Sequence, residues 1–204
     1  EVTIGLNRIY MKFDEIGFST TFLCGVNELV LKQFGDDISQ QDSQIFLNAK
    51  AGYFGNIKNP IYYMTSKTGA GFETDLSSHT WYSGATVTYA AMQLAYHLGF
   101  SEVILLGVDH NFAHSGRAHL VEKSTSSDVN HFDPNYFGKG ALWQYPDLIE
   151  TELNFAIAKA AFELNGRSIK DATVGGSLRV FPRIDGYALP GAEVPAEQPK
   201  PHLN

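Results

Sequence analysis

The stretch that decides the fold is residues 83–109, SGATVTYAAMQLAYHLGFSEVILLGVD. Apolar residues recur at offsets of 4, 7 and 11 from Val87, which is the spacing of one helix face, and they predict a helix over 83–98. Gly99 ends this helix, and the apolar run that follows predicts a strand over 102–107. A helix followed by a buried strand is the repeating unit of a parallel sheet.

Short apolar runs and helical periods alternate through the rest of the chain. The predicted strands are 2–6, 20–24, 44–49, 60–65, 102–107 and 168–174, and the further predicted helices are 27–34 and 147–164. In the last helix we expect Ile149, Leu153, Ala160 and Leu164 to form the buried face. The sequence therefore predicts an α/β fold, with a Rossmann-like, mainly parallel sheet and helices on both faces, in a single domain of residues 1–185.

The end of the chain differs in composition from the rest. Four of the eight prolines lie between residues 190 and 201, with few apolar residues beside them. Such a segment cannot bury a core of its own, so residues 186–204 are predicted to form a poorly ordered tail or to pack on a neighbour.

Composition excludes several classes of protein. The chain has 204 residues and a formal net charge of −7, which argues against binding to nucleic acid. Its single cysteine, Cys24, cannot form an intramolecular disulfide, and no stretch approaches the roughly 18 apolar residues of a membrane span. We expect a cytoplasmic protein without a membrane span; peripheral membrane association and a homo-oligomeric state both stay open.

The polar residues that flank the 83–109 unit predict a ligand site. Asp109 follows the predicted strand, which we expect to be a central one, and open α/β sheets bind ligands at the carboxyl edge of their strands. Ser83 and Gly84 open the predicted helix, where free backbone N–H groups can receive an anion. The alternative is that Ser83 and Asp109 only cap local structure.

A long polar segment, residues 109–145, follows Asp109 and is predicted to be a lid or binding loop. It contains four of the chain's histidines: His110, His114, His119 and His131. Their spacing matches neither a metal-binding HExxH helix nor a facial triad, so we predict no metal.

His131 is the histidine that we expect to act chemically. A neutral imidazole can accept a proton near pH 7, and the Asp133-Pro134 turn predicts a rigid bend that brings His131 to the cleft of Asp109. The alternative is a surface histidine without a partner. Tyr136 and Phe137 are expected to be a hydrophobic plug that holds the loop to the body.

Four elements, in order, resemble the bacterial α-2,3-sialyltransferases of glycosyltransferase family 42. They are Leu6-Asn7-Arg8-Ile9-Tyr10, residues 23–27, the unit from Ser83-Gly84 to Gly107-Val108-Asp109, and Asn130-His131-Phe132. The chain also resembles the domain-of-unknown-function family 115, labelled 6-hydroxymethylpterin diphosphokinase-like, most clearly over residues 171–185.

The first resemblance implies a metal-independent glycosyltransferase, without a cofactor, that moves a sugar from a nucleotide-activated donor to a glycan hydroxyl. A CMP-linked acidic sugar is one candidate donor. By the same resemblance His131 is the general base, and the backbone at Ser83-Gly84 receives a carboxylate or phosphate. The remaining implied donor-binding residues are Asn7 and Asn27 for donor groups, Asp109 for the ribose or base, and His110 or Asn111 for the leaving phosphate.

Two alternatives remain. The second resemblance implies a Mg²⁺-dependent pyrophosphoryl transferase, and a non-catalytic nucleotide-sugar binder is the third reading. The chain also departs from the sialyltransferase pattern, because no Gly-Asn-Gly-Pro-Ser nucleotide loop precedes Glu1 and because His110-Asn111-Phe112 stands where that family has tyrosines. We therefore expect either that the first βα turn is missing or that the chain does not hold a nucleotide in the way of that family, and the second departure allows a different donor sugar.

Overall fold

The computed structural model describes residues 1–52, 57–112 and 116–186. Its strands are β1 (Ile4–Leu6), β2 (Phe22–Gly25), β3 (Gln44–Asn48), β4 (Ile61–Lys67), β5 (Thr80–Tyr82), β6 (Glu102–Leu105), β7 (Val121–Lys123), β8 (Leu142–Gln144) and β9 (Ser168–Asp171). Its α-helices are α1 (Phe13–Ile16), α2 (Glu28–Ser39), α3 (Val87–His97) and α4 (Leu148–Glu163). Short 3₁₀ helices lie at Ile9–Lys12, Ala49–Ala51 and Leu76–Ser78.

Strands β1 to β5 form one parallel sheet in sequence order, β6 pairs in parallel with β9, and β7 with β8 forms an antiparallel hairpin. Side chains of the large sheet alternate between two cores. Leu23 and Ile45 pack with α2 on one face, whereas Cys24 and Met64 pack with α3 on the other. The predicted α/β class is therefore confirmed, with a Rossmann-like parallel sheet and helices on both faces.

Helix α3 joins the two parallel sheets. Residues 87–96 are all buried, and while Val87 and Leu94 pack on the large sheet, Met92 packs against α4, β6 and β9. A helix that is apolar all round is expected to be buried on every side. The position of the β6–β9 pair thus depends on α3.

The prediction that 102–107 is a central strand is wrong. Within the described residues β6 pairs with β9 alone, and it ends at Leu105 because Gly107 takes a left-handed φ of 68°. The apolar run is explained instead by packing, since Val103 and Leu105 both contact the core between α3 and α4.

The predicted start of the helix at Ser83 is also wrong. Gly84 and Ala85 have left-handed φ angles of 55° and 61°, so the chain cannot be helical there. The N-cap is Thr86, whose side-chain oxygen accepts a hydrogen bond from the Thr88 N–H at 3.3 Å. Ser83 therefore lies about one turn before the helix rather than at its N-terminus.

The predicted buried face of α4 is wrong, although the helix itself is confirmed. Ile149, Leu153 and Leu164 are 77%, 64% and 85% exposed, and Ala160 is exposed too. The opposite face is buried through Thr151, Asn154, Phe155, Ala158 and Phe162. Both faces of the helix carry apolar residues, so their periodicity does not determine which face is buried. The buried face is the one with the larger side chains, Phe155 and Phe162, which fill the core.

Helix α2 is longer than predicted and ends at Ser39. Except for Gly186, the predicted tail lies outside the described residues, as does His114.

The buried Gln93 side chain fixes α3 to the edge of the large sheet. Its oxygen accepts the N–H groups of Glu73 (3.0 Å) and Tyr82 (2.9 Å), and its amide donates to the carbonyls of Tyr82 (2.9 Å) and Tyr89 (3.1 Å). The Gln93 side chain is fully buried, and it satisfies four backbone groups at the junction of α3 and β5.

We predict that Gln93→Ala lowers the free energy of unfolding by about 2–5 kcal/mol, because it removes a hydrogen-bond partner from four backbone groups and opens a cavity. Urea denaturation measures this change. The matched control is Gln44→Ala at an exposed position of β3, which should change stability by less than about 1 kcal/mol. Equal stability of the two variants would contradict the anchoring role of Gln93.

Candidate functional site

Asn7 and Arg8 lie at the carboxyl edge of the large sheet, directly after β1. The backbone N–H of Asn7 donates to the Cys24 carbonyl at 2.8 Å and so continues the pairing of β1 with β2. Asn7 then takes a left-handed φ of 48°, a conformation that asparagine tolerates better than most residues. This bend turns the chain out of the sheet and places Arg8 at its edge.

A compact turn of residues 128–137, here called the histidine loop, is organised by the Asp128 carboxylate. One oxygen accepts the N–H groups of Asn130 (2.8 Å) and His131 (3.2 Å). The other accepts Nδ1–H of His131 (2.8 Å) and the N–H of Phe137 (3.1 Å). The Asp128 side chain is only 4% exposed, and four donors from its own loop replace the water that it has lost.

Arg8 fastens the histidine loop to the sheet. Its buried guanidinium donates to the backbone carbonyls of Asn135 (3.1 Å) and Tyr136, and its Nε donates to the Tyr10 hydroxyl at 3.3 Å. The same group lies 3.6 Å from the centre of the Phe34 ring in α2, a cation–π contact. One cation thus links β1, α2 and the loop.

The His131 ring is held on three sides. It stacks on Tyr136, with ring centres 4.0 Å apart and planes 2° apart, and it meets the edges of Phe137 at 5.3 Å and Phe112 at 6.4 Å. Asp128 fixes the ring's rotation through Nδ1. The alternative of a surface histidine without a partner therefore does not describe His131.

The electrostatics of His131 favour a neutral ring. Burial lowers the pKa of His131 below its ordinary value, and the Asp128 carboxylate opposes this shift without reversing it. Because Nδ1 donates to Asp128, the neutral ring carries its proton there and Nε2 has the lone pair. No hydrogen bond to Nε2 is present within the described part of the chain.

The predicted plug is confirmed for Tyr136, which is 4% exposed, and Phe137 packs with the core under α2. Burial raises the pKa of the Tyr136 hydroxyl to about 12. The Asn7 side chain lies beside that hydroxyl, and its own buried Oδ1 has no hydrogen-bond partner among the described residues.

An open pocket of about 290 Å³ lies next to the histidine loop. It is lined by Asp109, Asn111, Val129, Asn130 and Gly176, and we call it the Asp109 pocket. Two of these residues directly precede His131, and Phe112 directly follows Asn111. The loop after β6 therefore comes together with the histidine loop around one pocket.

Sequence reasoning missed the segment that supports Asp109. After β9, Gly176 approaches Asp109 so closely that a Cβ atom would lie 3.1 Å from the Asp109 carbonyl oxygen. That oxygen accepts the Ser177 N–H at 2.7 Å, and the Val108 N–H donates to the Thr173 side chain at 3.0 Å. The Gly175-Gly176 pair could have indicated a close approach between two backbone segments, but the sequence alone does not say which strand end the pair contacts.

The other predicted donor-binding residues, Asn7, Asn27, Ser83, Gly84 and His110, are not in the described lining of the Asp109 pocket, and three of them have local contacts. Asn27 caps α2 through its Oδ1, at 2.9 Å from the Leu29 N–H. The Ser83 backbone N–H donates to the Lys67 carbonyl at 3.2 Å, so it is not open to an anion. His110 contacts Glu152 at 3.0 Å, and its side chain is only 7% exposed.

Comparison with known proteins gives no match from which a function could be inferred. No protein-family model, no curated protein and no solved structure matches the chain. Within the described residues, no helix is both long enough and apolar enough to cross a membrane.

We predict that Asp128→Asn lowers the pKa of His131 further, because the desolvation of the ring remains while the favourable carboxylate charge is lost. Histidine side-chain NMR resonances followed from pH 8 to pH 4 measure the shift. Asp133→Asn is the matched control: Asp133 lies in the same loop and accepts the Asn135 N–H at 2.8 Å, and its removal should leave the His131 titration unchanged. A His131 pKa that rises in Asp128→Asn would contradict the assigned geometry.

Proposed function

We propose that this chain is a glycosyltransferase-type domain that transfers a sugar from a nucleotide-activated donor to a glycan hydroxyl, with His131 as general base and no metal ion in the chemical step. The observation that carries the proposal is the 2.8 Å contact between the buried Asp128 carboxylate and His131 Nδ1. The two residues between Asp128 and His131, Val129 and Asn130, line the polar Asp109 pocket. A base oriented by a buried carboxylate is a recurrent arrangement for activating a hydroxyl nucleophile.

In the proposed step, Nε2 of His131 takes the proton of the acceptor hydroxyl while the hydroxyl oxygen bonds to the anomeric carbon of the donor. The bond from that carbon to the donor phosphate breaks, and the nucleotide leaves with the electron pair. The configuration at the anomeric carbon is inverted. Asp128 stabilises the imidazolium that forms, and a general base of this kind contributes roughly 10²–10⁴ in rate.

The lining of the Asp109 pocket supports binding of the hydroxyl-rich or base part of such a donor. A carboxylate and the amides of Asn111 and Asn130 can pair with ribose hydroxyls or with the amino group of a base. The described lining contains no cationic side chain, so a phosphate would be repelled there. We therefore assign Asp109 and Asn111 to the nucleoside, and the phosphate to the mouth of the pocket.

Asn7 supports a second polar contact to the donor. An unpaired buried oxygen costs about 1–3 kcal/mol, and a hydroxyl or amino group of a ligand would satisfy Asn7 Oδ1. The left-handed turn at Asn7 holds that side chain beside Tyr136, on which His131 is stacked. In this proposal Asn7 helps to align the donor with the base.

We predict that His131→Ala lowers the turnover of a CMP-linked acidic sugar by roughly 10²–10⁴ with little change in donor affinity, since a general base acts mainly in the transition state. Release of CMP, with and without a glycan acceptor, gives the rate. His97→Ala, a substitution of a histidine in the last turn of α3, is the control and should keep the full rate. Unchanged turnover in His131→Ala would remove His131 from the mechanism, and CMP binding without any CMP release would leave a non-catalytic binder.

We also predict that cytidine monophosphate binds in the presence of a chelator as tightly as in the presence of Mg²⁺, because the Asp109 pocket has one carboxylate in its described lining. Titration calorimetry under both conditions tests this. A strict Mg²⁺ requirement would contradict the proposal and favour pyrophosphoryl transfer, in which a metal must bridge the phosphates.

A further inference from the structure

Three side chains outside the Asp109 pocket converge where the β7–β8 hairpin meets α4. His119 Nε2 lies 4.0 Å from an Asp147 carboxylate oxygen and 3.9 Å from a Glu150 carboxylate oxygen. All three donor atoms lie within 4.8 Å of one another. They come from two separate parts of the chain, 28 residues apart at His119 and Asp147 (147 − 119).

The backbone explains why these groups meet. The His119 N–H donates to the Tyr145 carbonyl at 2.9 Å and the Tyr145 N–H donates to the Leu120 carbonyl at 3.1 Å, so the base of the hairpin is closed. Two residues later Asp147 caps α4, with one oxygen at 2.8 Å from the Glu150 N–H. Its second oxygen is the one that faces His119.

The separations are unusual for direct pairing. At 3.9 and 4.0 Å, His119 is too far from either carboxylate for a hydrogen bond, and the two carboxylates lie at the N-cap and in the first turn of α4. Donor atoms that share one ion at about 2.1 Å lie about 3.4 Å apart in a tetrahedral arrangement. Side-chain movements of roughly one ångström or less would therefore close the three groups around a cation.

We propose that His119, Asp147 and Glu150 bind a divalent transition-metal ion, with Zn²⁺ as the representative case. One imidazole nitrogen and two carboxylate oxygens suit a borderline ion better than Mg²⁺ or Ca²⁺, which prefer oxygen alone. Water completes the coordination, since His119 and Glu150 are about half exposed. The sequence prediction of no metal rested on the spacing of the histidines along the chain, which cannot reveal a site assembled by tertiary contact.

The ion would stabilise the long connection between β6 and α4. It joins the base of the hairpin, at His119, to the start of α4, at Asp147, and so closes the two halves of that connection on each other. None of the three residues lines the Asp109 pocket. The inference is therefore independent of the proposed glycosyl transfer, and each can fail without the other.

Titration of the untagged, metal-free chain with Co²⁺, followed by visible absorption, tests the site because bound Co²⁺ has a d–d spectrum that differs from that of the hydrated ion. We expect saturable binding of one ion per chain. Zn²⁺ should displace it, and Zn²⁺ at a hundredfold excess over its Kd should raise Tm by about 5–10 °C.

Variants assign the binding to these residues. His119→Ala should abolish the Co²⁺ spectrum and the Tm shift, and Glu150→Gln should weaken binding at least about tenfold. Glu163→Gln, an exposed substitution in the last turn of the same helix, is the matched control and should bind as the parent chain does. Absence of binding by the parent chain, or binding that survives His119→Ala unchanged, would overturn the proposal.

Discussion

The carboxylate of Asp128 is the group on which the candidate site depends. It is almost fully buried, and it accepts hydrogen bonds from three backbone N–H groups and one imidazole, all between residues 130 and 137. Hydrogen bonds to a charged group contribute about 1.5–3 kcal/mol each, so these contacts can hold a loop that has no regular secondary structure. The same contacts set the orientation of the His131 ring.

Arg8 attaches this ordered loop to the body of the protein. Its guanidinium contacts the loop through two carbonyls and α2 through the Phe34 ring, and it follows β1 directly. A buried cation with partners in the loop and in α2 constrains both, because either can move only by leaving the charge without that partner. The Asp109 pocket is supported by a backbone contact, where Gly176 packs against Asp109.

Much of the fold could be predicted from the sequence, because hydrophobic periodicity reports burial directly. All six predicted strands and all three predicted helices are present, although the central position of 102–107 was wrong. The wrong predictions for β6 and for the buried face of α4 have the same cause. Whether β6 has one neighbour or two, and which apolar face of α4 is buried, depend on tertiary packing that periodicity does not contain. At the site, His131 could be singled out from its turn, and its partner Asp128 lies only three residues before it. The anchor Arg8 could not be found in this way, because it is 127 residues from Asn135, whose carbonyl it binds, and no local pattern encodes that contact.

The tautomer of His131 at pH 7 shows whether Asp128 orients the ring as a general base. Long-range ¹⁵N–¹H correlation spectra of histidine-labelled protein distinguish Nδ1–H, Nε2–H and doubly protonated rings. We expect a neutral His131 that is protonated on Nδ1, because Asp128 accepts a hydrogen bond from that N–H, with Nε2 unprotonated and available to a substrate hydroxyl. A ring protonated on Nε2, or charged at pH 7, would contradict it.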